Sequence, residues 1–238
     1  MANYEYHAAN SRGHINHEWL DTYHTFSFAS YYNPERMHFG VLRVLNDDTV
    51  APAEGFGKHP HDNMEIVTIP LEGELEHVDS MGHKEILRYG DIQVMSAGSG
   101  IYHSEYNKNE ETPLKLLQIW ILTNKKDATP RYDQTTLNIS DRHNKLQEII
   151  SPDQNNGTLW LHQNAWFSLG QFDKDITALY NIKNKRNGLY AFCIRGSFSV
   201  DGHLLNERDG LGIWDTDSVS IKSELDNSDI LLMDIPML

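Results

Sequence analysis

From residue 37 onward, apolar positions come in short runs closed by Gly, Asn or Asp. Residues 39–45 are apolar and rich in β-branched side chains, and the run ends at Asn46-Asp47-Asp48. Residues 64–71 form a second run, closed by Glu72-Gly73. Residues 74–78, 85–89 and 92–95 follow, split by turns at Asp79-Ser80-Met81-Gly82 and Gly90-Asp91, and residues 114–122 read as a long central strand. Strands at this cadence predict a sandwich or barrel rather than βαβ units. A polar stretch, residues 123–156, interrupts the pattern with a break at Pro130 and a charged segment, 141–150, in which a helical turn or two is expected. The cadence then resumes over residues 160–169, 176–181, 189–194, 197–200, 210–214, 219–221 and 230–235, with tight turns at Gly196 and Asp201-Gly202. The chain thus reads as all-β, in two similar units divided as 1–133 and 134–238.

Within the first unit, His59-Pro60-His61 and His103-Ser104-Glu105 each place two ligand-type side chains at i and i+2. On an extended chain both members point to one face, so each tripeptide can offer two ligands to one ion. An isolated His-x-His on a strand is ordinarily a surface or satisfied core pair. Two such pairs bracketing a strand meander point instead to a metal site. Three imidazoles and a carboxylate suit a borderline divalent ion: Fe, Mn, Co, Ni, Cu or Zn. The second unit, with His203 and Cys193 among its candidates, offers no such paired ligands, so a metal is expected in the N-terminal unit alone.

Other residues read more plainly. His77 and His83 flank the turn at Ser80-Met81-Gly82 and are expected to be exposed. His14, His17 and His24 sit in an aromatic-rich segment expected to pack over the barrel. Phe39, Met95, Tyr102, Ile119 and Trp120 are candidates to line an aromatic pocket at the metal, and each serves equally well as ordinary core. Cys193, between Phe192 and Ile194, is expected to be a buried, inert thiol.

Charge and length narrow the function. A formal charge of −14, from 20 basic and 34 acidic residues, with no clustered Lys or Arg, argues against a nucleic-acid partner. No apolar stretch reaches the roughly 18–20 residues of a membrane span, and residues 1–10 lack the order of a secretory signal. With one cysteine, no internal disulfide is available. A cytoplasmic protein is expected.

The neighbours of the histidines resemble the cupin signatures. Gly55-Phe56-Gly57-Lys58-His59-Pro60-His61-Asp62-Asn63-Met64-Glu65, running on to Gly73, looks like the first motif. Gly90-Asp91-Ile92, Ala97-Gly98-Ser99-Gly100-Ile101-Tyr102-His103 and Asn107 look like the second. Within the cupins the match is closest to the pirin-like proteins and their bacterial quercetin 2,3-dioxygenase branch. His24-Thr25-Phe26-Ser27-Phe28, Met95-Ser96-Ala97-Gly98, Thr129-Pro130-Arg131-Tyr132 and Asp209-Gly210 to Trp214-Asp215 carry that likeness. The resemblance implies a bicupin with one metal, Fe(II) favoured, in the N-terminal barrel. It implies His59, His61, His103 and Glu105 as ligands, where the general cupin pattern would use Glu65, here left to a supporting place around the ligands. It further implies cleavage of a flavonol or related planar enol by O2 with loss of carbon monoxide, Glu105 serving also as base. The family equally suggests a non-enzymatic metal- or redox-sensing protein with a protein partner. A cupin isomerase or metal-dependent hydrolase is a third reading.

Overall fold

The computed structural model describes residues 1–238. Apart from two short 3-10 turns, Ala9–Ser11 and Ile139–Arg142, every regular element is a strand, and no helix is long and apolar enough to cross a membrane. The strands form two units, each a seven-stranded sheet with a four-stranded one. The first large sheet runs Arg131–Thr136, Asp91–Ser96, Met64–Glu72, Leu114–Leu122, Leu42–Val50, Leu20–His24, Gly13–Asn16. Its small companion runs Gly55–His61, Ile101–Asn107, Glu74–Asp79, Lys84–Arg88. The second large sheet runs Asn3–His7, Gly210–Trp214, Asn187–Arg195, Ser228–Pro236, Trp166–Phe172, Leu146–Ser151, Leu159–Trp160. Its companion runs Thr177–Asn181, Ser218–Ser223, Ser197–Val200, His203–Asn206.

The two small sheets share one strand order, so the expected duplication is visible in the pairing. The strands Thr177–Asn181 and Ser218–Ser223 hold the places that the two histidine-bearing strands hold in the first unit. There, however, the inward positions are Tyr180, Val219 and Ile221, which belong to a continuous apolar core with Phe172, Phe198 and Leu232. The second barrel is filled with hydrocarbon where the first presents imidazoles.

Central strands of both large sheets bury both faces, which explains runs such as Leu189–Ile194 and Leu114–Leu122 that barely alternate. One face of each sheet packs on the other across the units. Val67, Ile69, Leu117, Ile119 and Ile121 there meet Phe167, Leu169, Phe192, Leu231 and Met233 in the largest apolar cluster. The opposite face of the first sheet lines its own barrel, whose apolar core is split in two. Leu20, Val50, Leu75, Leu87, Leu114 and Leu116 fill one end, and Ile66, Met95, Ala97 and Ile101 the other.

Three local expectations are corrected. Asn46-Asp47-Asp48 does not end a strand; Leu42–Val50 runs straight through it. The polar residues are accommodated because Asn46 and Asp48 face a cavity inside the barrel, while Asp47 takes ion pairs from Arg12 and Arg208. Segment 141–150 holds no helical turn beyond the end of Ile139–Arg142 and is mostly the strand Leu146–Ser151. The unit boundary drawn between residues 133 and 134 falls inside Arg131–Thr136, which stays with the first sheet through Thr136 opposite Asp91. In the other direction, Asn3–His7 pairs with Gly210–Trp214 and so belongs to the second sheet.

One turn depends on glycine. Gly98 sits at φ +49, and a Cβ there would come within 1.9 Å of the Ala128 carbonyl oxygen. The same carbonyl accepts from Ser99 N, and Gly98 O accepts from Asn63 N at 2.8 Å, so the backbone has no room to yield. Gly98→Ala is expected to lower stability by about 3 kcal/mol or more, read from denaturant unfolding. A loss below about 1 kcal/mol would show that the turn relaxes.

Candidate metal centre

The strand Gly55–His61 lies at the edge of the small sheet, where Pro60 costs no ladder hydrogen bond. Its partner Ile101–Asn107 places His103 opposite His59 and Ile101 opposite His61. A register shift between His103 and Glu105 marks a bulge, and Ile101, His103, Glu105 and Asn107 are all buried while the residues between them are not. The result is a convergence of side chains from two strands.

One ligand atom from each of His59, His61 and His103 lies within 4.8 Å of the others, and the same holds for His77, His103 and Glu105. The three imidazole rings of the first group stand 4.4–4.9 Å apart. His59 Nδ1 lies 2.8 Å from the Gly57 carbonyl oxygen, which leaves Nε2 free to point inward. His103 is almost wholly buried, and neither of its ring nitrogens has a partner. Two orphaned nitrogens on one buried ring are costly, and an ion beside His59 and His61 would satisfy one of them. The donor set therefore fits a divalent metal. Glu105, also buried, accepts from Gln118 Nε2 at 3.2 and 3.4 Å.

Electrostatics favour metal-ready imidazoles at His61 and His103. Burial, then the neighbouring rings, pushes His103 far below the ordinary imidazole range, and burial with His59 lowers His61 to about 4. Both are neutral near pH 7, as ligands must be. Burial, reinforced by Asp48, raises Glu105 to about 8, and burial raises Asp48 to about 7. A raised carboxyl binds its proton more tightly in the folded chain, so its contribution to stability is lost as pH climbs towards the folded value. Between about pH 7 and 8 these two carboxyls lose their protons in the folded chain, having lost them far lower in the unfolded one. The metal-free protein is expected to lose stability across that interval by on the order of 1 kcal/mol, and Glu105→Gln to flatten the slope. Thermal melts that rise from pH 7 to 8 would contradict this.

A cavity opens beside the imidazoles, with about 580 Å³ of empty space that is in part open to solvent. Trp120 stands edge-on to His61 at 4.8 Å and to Phe28 at 5.2 Å, and Phe56 completes an aromatic wall. Of the proposed pocket residues, Trp120 alone lines this cavity. Phe39 packs between the units against Tyr190 and Trp214, Ile119 lies in the interdomain core, and Met95 fills the apolar end with Ile66. Tyr102 faces outward beneath Lys58. Phe39, Ile119 and Met95 lie elsewhere for one reason: alternation shows which residues are buried but not which of two buried faces they serve; Tyr102 lies in the exposed phase of its strand. Glu65 is likewise away from the imidazoles; its carboxylate accepts from Ser96 Oγ at 2.7 Å and from His162 N at 3.1 Å, joining the two units.

His77 is a second correction. It is fully buried, with its ring 5.3 Å from His103 and 4.6 Å from Tyr132. Only His83 is partly exposed, its Nδ1 2.8 Å from Asp79. The signal was present in the alternation Leu75-x-His77-x-Asp79. Asn46, Asp48 and Gln118 were missed in the same way, as polar residues in the buried phase of otherwise apolar strands. His24 is buried against Phe28, consistent with a packing role. Cys193 is buried, and burial pushes its thiol up to about 12.

Residues 5–121 match the family described as Pirin, and residues 148–235 match the quercetinase C-terminal cupin domain. The quercetin 2,3-dioxygenase of Escherichia coli K12 is 44% identical over 228 residues, 96% of each chain. A pirin-like protein of Caulobacter vibrioides is 38% identical over 223 residues, covering 93% of this chain and 95% of that one. The crystal structure of the bacterial pirin YhhW of Escherichia coli in complex with nickel(II) has a TM-score of 0.93 at 41% identity, covering 99% of this chain and 100% of that one. The chain belongs to the pirin family, built as two tandem cupin barrels.

Proposed function

We propose that the chain is a metal-dependent dioxygenase of quercetin-like flavonols, with His59, His61, His103 and Glu105 as metal ligands. The observation that carries this is the convergence of three imidazoles, one of them with both nitrogens orphaned, beside a cavity walled by aromatic rings. Relatives named quercetin 2,3-dioxygenase at this identity and coverage support the same reading. Fe(II) is our favoured ion; the nickel complex of a relative and the ligand types keep Ni, Mn, Co, Cu and Zn within reach. A divalent ion there would supply the positive charge that lowers the pKa of an enolic hydroxyl brought beside it.

The chain's own residues do the rest. Trp120, Phe28 and Phe56 offer flat apolar surface to a planar ring system and keep bulk water from the reacting end. With a divalent ion beside it, whose charge would offset the effect of burial and hold it as a carboxylate, Glu105 would accept the substrate's hydroxyl proton as general base, and Gln118 fixes the carboxylate's direction. In the net reaction both atoms of O2 enter the substrate, the central ring opens and carbon monoxide leaves. Cytoplasmic residence is proposed from the lone, buried Cys193.

The deciding experiment follows flavonol absorbance with the metal-loaded protein in air and under nitrogen. Loss of absorbance only in air, with carbon monoxide in the headspace, is the expected result. No oxygen-dependent loss with any of the six metals would remove the enzymatic reading.

A further inference from the structure

The wall opposite the aromatic rings is polar. Asn46 and Asp48 stand two residues apart on the strand Leu42–Val50, both buried and both facing the cavity. In that strand the other inward positions, Val44 and Val50, are apolar. Asn46 Oδ1 has no hydrogen-bond partner, although almost none of the residue is exposed. Asp48 has one carboxylate oxygen held by the Thr22 hydroxyl, while its second oxygen takes no hydrogen bond from the chain. Across the ladder Asn46 faces Gln118, whose amide reaches Glu105 at 3.2 Å. Gln118 thus stands opposite Asn46 on one side and bonds Glu105 on the other.

Leaving the buried Asn46 oxygen unpaired costs about 1–3 kcal/mol, and nothing in barrel packing requires a polar pair here. Valine or leucine in this phase would fill the space, as at the neighbouring positions. We infer that Asn46 and Asp48 form a hydroxyl-recognition edge that selects aromatic enols carrying additional ring hydroxyls over those carrying the enol alone. A phenolic hydroxyl suits both residues because it donates to a carboxylate or amide oxygen and accepts from an amide N–H or a carboxylic acid. The aromatic wall is indifferent to ring hydroxyls, so discrimination falls to this edge. The inference rests on the flavonol reading and adds to it which flavonols are held.

The test compares quercetin with 3-hydroxyflavone, which has the enol and no other hydroxyl. Binding to the nickel-loaded full chain is measured without oxygen by titration calorimetry, for wild type, Asn46→Ala/Asp48→Ala and Asp48→Asn at equal metal content. Wild type is expected to prefer quercetin by at least about tenfold, in line with one or two satisfied polar groups. The double alanine variant brings the ratio to within about threefold of one. Asp48→Asn, which still bonds a hydroxyl both ways, keeps most of the preference. A ratio that survives the double substitution, or that is near one in wild type, overturns the recognition edge while leaving the flavonol site standing. Failure of wild type to bind either compound overturns the flavonol reading itself, and the edge with it.

Discussion

Glu105→Gln is expected to lower flavonol turnover by about 10²–10⁴-fold, the usual loss when a general base is removed, while much of the metal is retained. The amide keeps an oxygen for the ion but cannot accept a proton. Glu105 is also the only charged member of the four proposed ligands, so the site's net charge rises by one and metal affinity weakens to some degree. Glu65→Gln is the control. Its hydrogen bonds run to Ser96 and the His162 backbone, so the change is expected to alter the contact between the barrels and to leave metal content near wild type. Elemental analysis and turnover on the two variants separate the assignments. If Glu65→Gln empties the site while Glu105→Gln keeps both metal and rate, the general cupin ligand set applies instead.

Removing His59 and His61 together is expected to abolish metal retention. The pair supplies two of the four proposed ligands from one edge strand, and the whole binding free energy of a four-ligand protein site runs to about 10–16 kcal/mol. Loss of half the donors then weakens affinity by more than about 10³-fold. The fold should survive, since His59 and His61 are both only half-buried and neither belongs to an apolar cluster. Circular dichroism of the double alanine variant should match wild type while mass spectrometry finds no bound metal. Full metal in a folded double variant would remove this site from consideration.

Much of the fold was legible because strands bounded by Gly and Asp declare themselves locally. The strand over residues 114–122 and that over 210–214 were read to the residue. The candidate site was legible for a different reason: i and i+2 ligand pairs are a local pattern, and the cupin-like neighbours fixed their meaning. What the sequence hid was the second dimension of the barrel. Phe39 and Trp120 look alike along the chain, yet one plugs the seam between units and the other walls the cavity. Asn46 and Asp48 resembled a turn because polar residues usually end strands, and only a cavity on their inward side explains why this strand continues. The N-terminal strand was missed because its partner lies at the far end of the chain.

That long-range partnership bears on how the protein is made. Asn3–His7 emerges from the ribosome roughly 200 residues ahead of Gly210–Trp214, a delay of about 10–40 s at ordinary synthesis rates. The first barrel can close in that time, because its strands lie between Gly13 and Thr136. The early strand cannot. It waits as an unpaired ribbon with Tyr4 and Tyr6 on its outer side, and every nascent copy on a polysome carries the same ribbon and later offers the same open edge. Strand exchange between neighbouring copies is therefore the assembly error to which this order of synthesis exposes the chain.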